Sequence, residues 1–460
     1  MVFSSTVFLF VFLPLLLLLY YLPFPRRRAW RNAILLLFSI LFYAWGEPLF
    51  VFALLALIVV NWSAGSLLSR SSTGKKWFLF PVILLDVSLL ILFKYAPAIA
   101  RALPADNVVL ERISQLHLPI GISFFTFQII SYILDLYRGR VQVKATLPRF
   151  ALYISMFPQL VAGPIVRYNE IETQLLDRKE SFDQVADGLG RFICGLGKKV
   201  LLADFLARTV DAAFSAQGLT VIGAWLGAVA YTLQIYFDFS GYSDMAIGLG
   251  RMFGFHFAEN FRYPYIASSG TDFWRRWHIS LSRWFRDYVY IPLGGNRHGA
   301  RRTMLNLFVV WLLTGIWHGA NWTFVIWGLL WFAVLVAEKI SGHAETNTVV
   351  SHFFTLLIVI LGFVIFRSPD TSYALQYIGK MFGLGAAGVW DQETAASLRS
   401  CAGVLLAGCI GATPLLNTVF SRLKEKGGAW LRPVWLTAVF VLAVAEMVTS
   451  SFQPFIYFDF

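Results

Sequence analysis

Charge is scarce in this 460-residue chain: only 14% of residues are Asp, Glu, Lys or Arg, against 58% apolar. A soluble domain carries about 25% charged residues, so this chain cannot cover a water-facing globular surface. Cysteine is scarcer still. Cys194, Cys401 and Cys409 form no CxxC pair, which excludes a disulfide scaffold, a metal knuckle and a redox motif. All three lie in apolar surroundings and are expected to be buried and inert. No low-complexity segment and no repeat of 20–50 residues occurs, so disordered tails and solenoids are excluded as well. Alternating strands would leave a weak hydropathy signal, whereas the mean hydropathy here is +0.65. What is abundant is aromatic: 43 Phe, 18 Tyr and 16 Trp. The composition is that of an all-α polytopic membrane protein, one membrane domain over residues 1–460.

About 20 apolar residues cross a bilayer. Candidate spans lie at 32–46, 49–69, 77–95, 119–137, 219–238, 303–317, 321–337, 349–366, 400–416 and 433–452. The opening run, Val2 to Phe24, precedes Arg26, Arg27, Arg28 and Arg31. A cleaved signal would carry its charge before the run, so an uncleaved first span with its N-terminus outside is expected. Weaker stretches near 149–166, 189–206, 241–257 and 371–384 bring the expected total to ten to thirteen membrane-embedded helices. Segment 149–166 holds Pro158, Gly163 and Pro164 and is followed by basic residues through Lys199, which suits a broken or re-entrant helix.

The net charge of +12 is gathered into loops, as positive-inside topology and attraction to anionic lipid require. The densest loop carries Arg262, Arg275, Arg276, Arg283, Arg286, Arg297, Arg301 and Arg302 against Asp272 and Asp287. Its core, Phe273-Trp274-Arg275-Arg276-Trp277-His278-Ile279-Ser280-Leu281-Ser282-Arg283-Trp284-Phe285-Arg286, places Trp, Phe and Arg at helical spacing. That reads as an interfacial helix with Trp anchors. No second basic face or stacking module accompanies it, so nucleic acid is not the expected partner.

Seven histidines are present. His117, His298 and His343 fall in expected loops; His256 and His352 suit structural roles. His318, in Thr314-Gly315-Ile316-Trp317-His318-Gly319-Ala320-Asn321-Trp322, stands between two apolar spans. There an ionisable group is costly and marks a functional-site candidate. Its ordinary pKa near 6.5 suits proton transfer; a histidine satisfied by a carbonyl in a tight interhelical turn reads equally well. His278 is the second candidate, and no third ligand stands near enough to make a metal site. Asp238 and Asp244 are six apart and do not share a helix face. They are open to pairing with arginines of the following loop or to lining a water-filled cavity. No glycine-rich phosphate loop, GxSxG elbow or HExxH occurs.

Five ordered motifs, Asp238-Phe-Ser-Gly-Tyr-Ser-Asp244 running on to Phe255, Asn260-Phe-Arg-Tyr-Pro-Tyr265, Asp272-Phe-Trp-Arg-Arg-Trp-His-Ile-Ser-Leu-Ser282, Tyr290-Ile-Pro-Leu-Gly-Gly-Asn-Arg297 and Trp317-His-Gly-Ala-Asn-Trp-Thr-Phe-Val-Ile-Trp-Gly328, resemble the membrane-bound O-acyltransferase (MBOAT) family. The branch resembled is the bacterial one containing alginate O-acetylation and D-alanyl transfer proteins. The likeness is strongest over 230–330 and extends loosely to Phe42-Tyr43-Ala44-Trp45 and Gly163-Pro164-Ile165. After Gly328, Leu329-Leu330-Trp331-Phe332 departs from a small-or-polar pattern.

The resemblance implies helices around a central tunnel, His318 as the essential histidine and His278 at a second position that orients the acyl group or stabilises an oxyanion. It implies no tightly bound cofactor, acetyl-CoA as the acyl donor, and Arg275, Arg276 and Arg283 as phosphate contacts that would serve lipid headgroups equally. Trp317, Asn321 and Asp238 are further binding candidates. The implied activity is O-acetyl transfer in a bacterial inner membrane to an exported polysaccharide, with periplasmic partner proteins. The alternatives are D-alanyl transfer to teichoic acid from a carrier protein and non-catalytic transport of polymer or donor.

Overall fold

The computed structural model describes residues 1–22, 28–70, 75–104, 107–141, 144–342, 348–450 and 455–456. Arg26, Arg27 and His343 lie outside the described residues. Among the described residues every regular element is helical. Among the described residues six helices are long and apolar enough to cross a membrane: Arg28–Gly46, Phe50–Leu68, Trp322–Ser341, Val349–Arg367, Gln392–Gly411 and Leu431–Thr449. Leu79–Lys94 and Ala96–Ala102 form a seventh if their 44° bend is one broken span. The opening run and the stretch 119–137 become the shorter apolar helices Phe8–Tyr21 and Ile122–Tyr137. The stretch 219–238 is the first part of a 32-residue helix, Val221–Met252. The protein is a multi-span, all-helical membrane protein.

The chain packs as two compact units. The first comprises Met1–Phe192 and Met245–Ala258. Its core is phenylalanine-rich, with Phe12 meeting Phe8 and Phe157 at 5.5 and 5.6 Å. The broken helix expected at 149–166 is present as Leu147–Ser155 followed by Phe157–Leu160, with Pro158 in the first turn of the second piece. A buried broken helix must satisfy its freed backbone groups locally. Here Ser39 Oγ accepts the Phe157 N–H at 3.2 Å, and Tyr153 donates its hydroxyl to the Val166 carbonyl at 3.0 Å.

The second unit comprises Ile193–Asp244 and Glu259–Phe460. Its centre is the helical hairpin Gly299–His318 and Trp322–Ser341. Lipid tails are as apolar as leucine, so helices associate in a membrane through close packing, and small residues at the crossing permit it. A Cβ on Gly328 would lie 2.5 Å from the Trp311 carbonyl oxygen and 3.3 Å from the Gly315 Cα. Only glycine permits that approach. Around the hairpin Phe273 stacks on Trp331 at 5.1 Å with planes 3° apart, and Trp274 meets Trp311 edge-on at 4.6 Å.

Three sequence expectations change here. The Phe273–Arg286 segment is not one interfacial helix but two short ones, Gly270–Arg276 and Ile279–Phe285, broken at Trp277 and His278. The break turns Trp274, Trp277 and Trp284 into the protein, where all three are buried rather than anchored at a lipid interface. Asp238 and Asp244 meet lysines: Lys199 Nζ lies 2.7 Å from Asp238 and 2.7 Å from Asp204, and Lys198 donates to Asp244 at 2.6 Å. The cysteines are not uniformly buried. Cys401 is, Cys194 is half-buried, and Cys409 is exposed.

Candidate active site

His278 and His318 belong to the same unit and meet the same indole. The Trp317 ring lies 4.9 Å from the His318 ring and 6.3 Å from the His278 ring. His318 is the last residue of its helix, one turn beyond Gly315, so the glycine crossing of the hairpin sets its depth. Only 5% exposed, it is boxed by Trp327 at 5.1 Å, Phe366 at 5.0 Å and Phe324 at 6.3 Å. An imidazole ringed by aromatic faces sits in a water-poor medium, where charge interactions gain strength.

His278 is positioned differently. Ser269 accepts the Asp272 N–H at 3.0 Å and starts the helix Gly270–Arg276; the chain then extends at Trp277. At His278 it enters the left-handed region, with φ 42° and ψ 53°, which L-residues other than glycine, asparagine and aspartate seldom adopt. Hydrogen bonds to the segment beginning at Asn260 hold this shape. Arg262 N–H donates to the Arg276 carbonyl at 2.9 Å and Ile279 N–H to the Asn260 carbonyl at 3.0 Å. The Asn260 side chain lies 3.2 Å from His278 Nδ1 through its Oδ1. Phe239 packs edge-on at 4.7 Å. His278 is 1% exposed, and burial pushes its imidazole down to about 3, because a charged ring would be desolvated there. Its Nε2 has no hydrogen-bond partner among the described residues.

The remaining sequence candidates fall into two groups. Arg275 and Arg283 are exposed and form no ion pair among the described residues. Arg276 is held by Asp272 at 2.8 Å. Asn321 caps the helix Trp322–Ser341 by accepting the Thr323 N–H at 3.2 Å and donates to the Pro369 carbonyl. Asp238, besides Lys199, accepts the Ile456 N–H at 2.8 Å and so anchors the C-terminal segment.

Of the other histidines, His117 meets Glu47 at 3.0 Å, and His352 Nδ1 lies 3.0 Å from the Ala267 carbonyl oxygen. His256 and His298 are exposed. Asn260, which meets His278, and Ser243 and Ser280, which bond to the Asn260 side chain, carry no mark in the sequence beyond lying inside the motifs. Among the described residues no group of three His, Cys, Asp or Glu side chains is placed to hold a metal ion. Two buried histidines sharing one indole, one of them neutral, are groups of a kind that can move a proton or orient a reacting group.

The family model for the membrane-bound O-acyltransferase family matches residues 141–367. The chain is 40% identical to a probable alginate O-acetylase AlgI of Pseudomonas putida over the full length of both. It is 46% identical to the protein of that name in Pseudomonas syringae pv. tomato, over 84% of this chain and 76% of the relative. A peptidoglycan O-acetyltransferase of Helicobacter pylori is 36% identical over 84% of this chain and 80% of its own length.

Proposed function

The chain belongs to the membrane-bound O-acyltransferase family and is an O-acyltransferase, and from that premise we propose that it acetylates an exported polysaccharide of the alginate class. The observation that carries the reading is the pair His278 and His318 set against the Trp317 indole inside an aromatic core. The likeness to the alginate O-acetylases named above supports the substrate class.

In this reading the donor is acetyl-CoA, reaching the site from the cytoplasm. Arg275 and Arg283, exposed and without ion-pair partners among the described residues, are suited to its phosphates. His318 acts as general base on a hydroxyl of the acceptor or of a carrier. The hydroxyl proton passes to the imidazole, the oxygen bonds to the acetyl carbon, and the carbon–sulfur bond breaks. The departing thiolate takes the proton back, so His318 ends unchanged. His278 orients a reacting group in the same medium. The protein lies in the bacterial cytoplasmic membrane with its N-terminus outside, and periplasmic proteins complete transfer to the polymer.

The test is acetyl transfer from radiolabelled acetyl-CoA in membranes carrying the wild type or His318→Ala. General base catalysis contributes about 10²–10⁴-fold, so the variant is expected to lose transfer by at least about 10²-fold while inserting normally. Retained acetylation in His318→Ala overturns the assignment. Incorporation of label from D-alanyl carrier protein instead of acetyl-CoA overturns the substrate reading.

A further inference from the structure

Asn260 is fully buried, and its two amide ends are engaged by different groups. The Nδ2 donates to Ser243 Oγ at 3.1 Å. The Oδ1 receives the backbone N–H of Ser280 at 3.2 Å and the Ser280 hydroxyl at 2.9 Å, and faces His278 Nδ1 at 3.2 Å. Tautomers are inferred from networks rather than seen, and this network leaves one solution. A backbone N–H only donates, so the atom it meets is the amide oxygen and not the amide nitrogen. An amide oxygen only accepts, so the His278 Nδ1 facing it must carry hydrogen. A neutral imidazole carries one N–H, which leaves Nε2 with a lone pair.

We infer that Asn260 is a positioning residue that fixes His278 as the Nδ1–H tautomer, so that Nε2 meets the substrate as a hydrogen-bond acceptor. The inference rests on the reading that His278 serves acyl transfer, and it narrows that reading. Of the two tasks the resemblance leaves open for His278, donating to a developing oxyanion and holding the acyl group by its carbonyl oxygen both require hydrogen on Nε2 and are removed. Orienting a substrate group that bears its own hydrogen remains. The missing partner of Nε2 among the described residues is in keeping with this: the buried acceptor is completed by an O–H or N–H that the substrate brings. Two sources fit that chemistry, a second, non-reacting hydroxyl of the acceptor, since the reacting one gives its single proton to His318, and an amide N–H of the pantetheine arm of acetyl-CoA. His318 keeps the task of moving the proton.

The test uses the full chain in lipid nanodiscs with 15N-labelled histidine, the His278 signals being assigned by their loss in His278→Gln. The wild type is expected to show hydrogen on Nδ1 alone. Asn260→Asp keeps an acceptor oxygen and is expected to keep the tautomer; Asn260→Leu removes it and is expected to give a mixture. In parallel, acetyl transfer is measured with acetyl-CoA and a mannuronate oligosaccharide. Asn260→Leu is expected to lower kcat/KM about 10²-fold, the scale of a misoriented group, with Asn260→Asp restoring it to within about ten-fold. A rise in KM confined to the oligosaccharide assigns a non-reacting hydroxyl of the acceptor, and one confined to acetyl-CoA assigns the donor amide. Hydrogen on Nε2 in the wild type overturns the inference, as does equal behaviour of the two variants. A tautomer shift with undiminished transfer leaves the role of Asn260 toward the ring standing and overturns the part of His278 in the reaction.

Discussion

The hairpin that carries His318 can be opened by a single methyl group. In Gly328→Ala the new Cβ would stand 2.5 Å from the Trp311 carbonyl oxygen, where ordinary contact begins at 3.4 Å. The obstacle is backbone, so no rotamer change relieves it. The helices Gly299–His318 and Trp322–Ser341 must separate by about 0.9 Å at the crossing, or the clash must be spread along both. Gly315 is 3.3 Å from the same Cβ and lies one turn before His318, so the displacement reaches the imidazole almost undiluted. Overpacking of this kind costs about 1–3 kcal/mol of stability. A misplacement near 1 Å at a reacting group costs about 10²-fold in rate. Acetyl transfer per mole of folded protein is therefore expected to fall about 10²-fold in Gly328→Ala, while the melting temperature falls only modestly. Gly403→Ala, whose Cβ enters open space, is the control and is expected to match the wild type in both measurements. Transfer in Gly328→Ala within two-fold of wild type would refute the idea that the glycine crossing places His318.

Two further outcomes follow from the charges. Lys199→Met leaves Asp204 and Asp238 facing each other without their shared cation; an uncompensated buried charge costs about 3–5 kcal/mol. Folded protein recovered from membranes is expected to fall sharply and to recover in part when Asp238→Asn is added; recovery unaffected by Lys199→Met would show the pair to be dispensable. Arg275→Ala with Arg283→Ala is expected to raise the KM for acetyl-CoA several-fold at low salt and less at high salt, with kcat unchanged. An unchanged KM would assign both arginines to lipid headgroups.

The long spans were readable from sequence because crossing a bilayer demands a fixed length of apolar chain, a constraint that leaves its mark residue by residue. The broken helix near 149–166 was readable too, since Pro158 and Gly163 punctuate it. The break at Trp277 and His278 was not. Neither glycine nor proline marks it, and Trp, Phe and Arg run through it at helical spacing. It is imposed by Asn260, 18 residues upstream, whose carbonyl and side chain capture Ile279, Ser280 and His278. Lys198 and Lys199 as partners of Asp244 and Asp238 were hidden for the same reason, lying about 40 residues from them in the chain. Cys409 was misjudged on different grounds. Apolar neighbours imply burial only where the surroundings are water, and in a bilayer an apolar helix can face lipid on its outer side.

The conformation of His278 bears on why a histidine stands there at all. A residue other than glycine held in the left-handed region costs on the order of 1–3 kcal/mol and persists only where its surroundings over-determine it. If the turn were the sole requirement, glycine or asparagine would adopt φ 42° more readily. Packing against Phe239 does not demand an imidazole either, since a phenyl ring would fill the same space edge-on. The two features that no substitute reproduces are an Nδ1–H turned to the Asn260 oxygen and a buried acceptor at Nε2. The first orients the second. A strained backbone carrying a ring whose outer nitrogen awaits a partner is the expected form of a group kept for its chemistry, and it is the feature of this chain that local spacing conceals most completely.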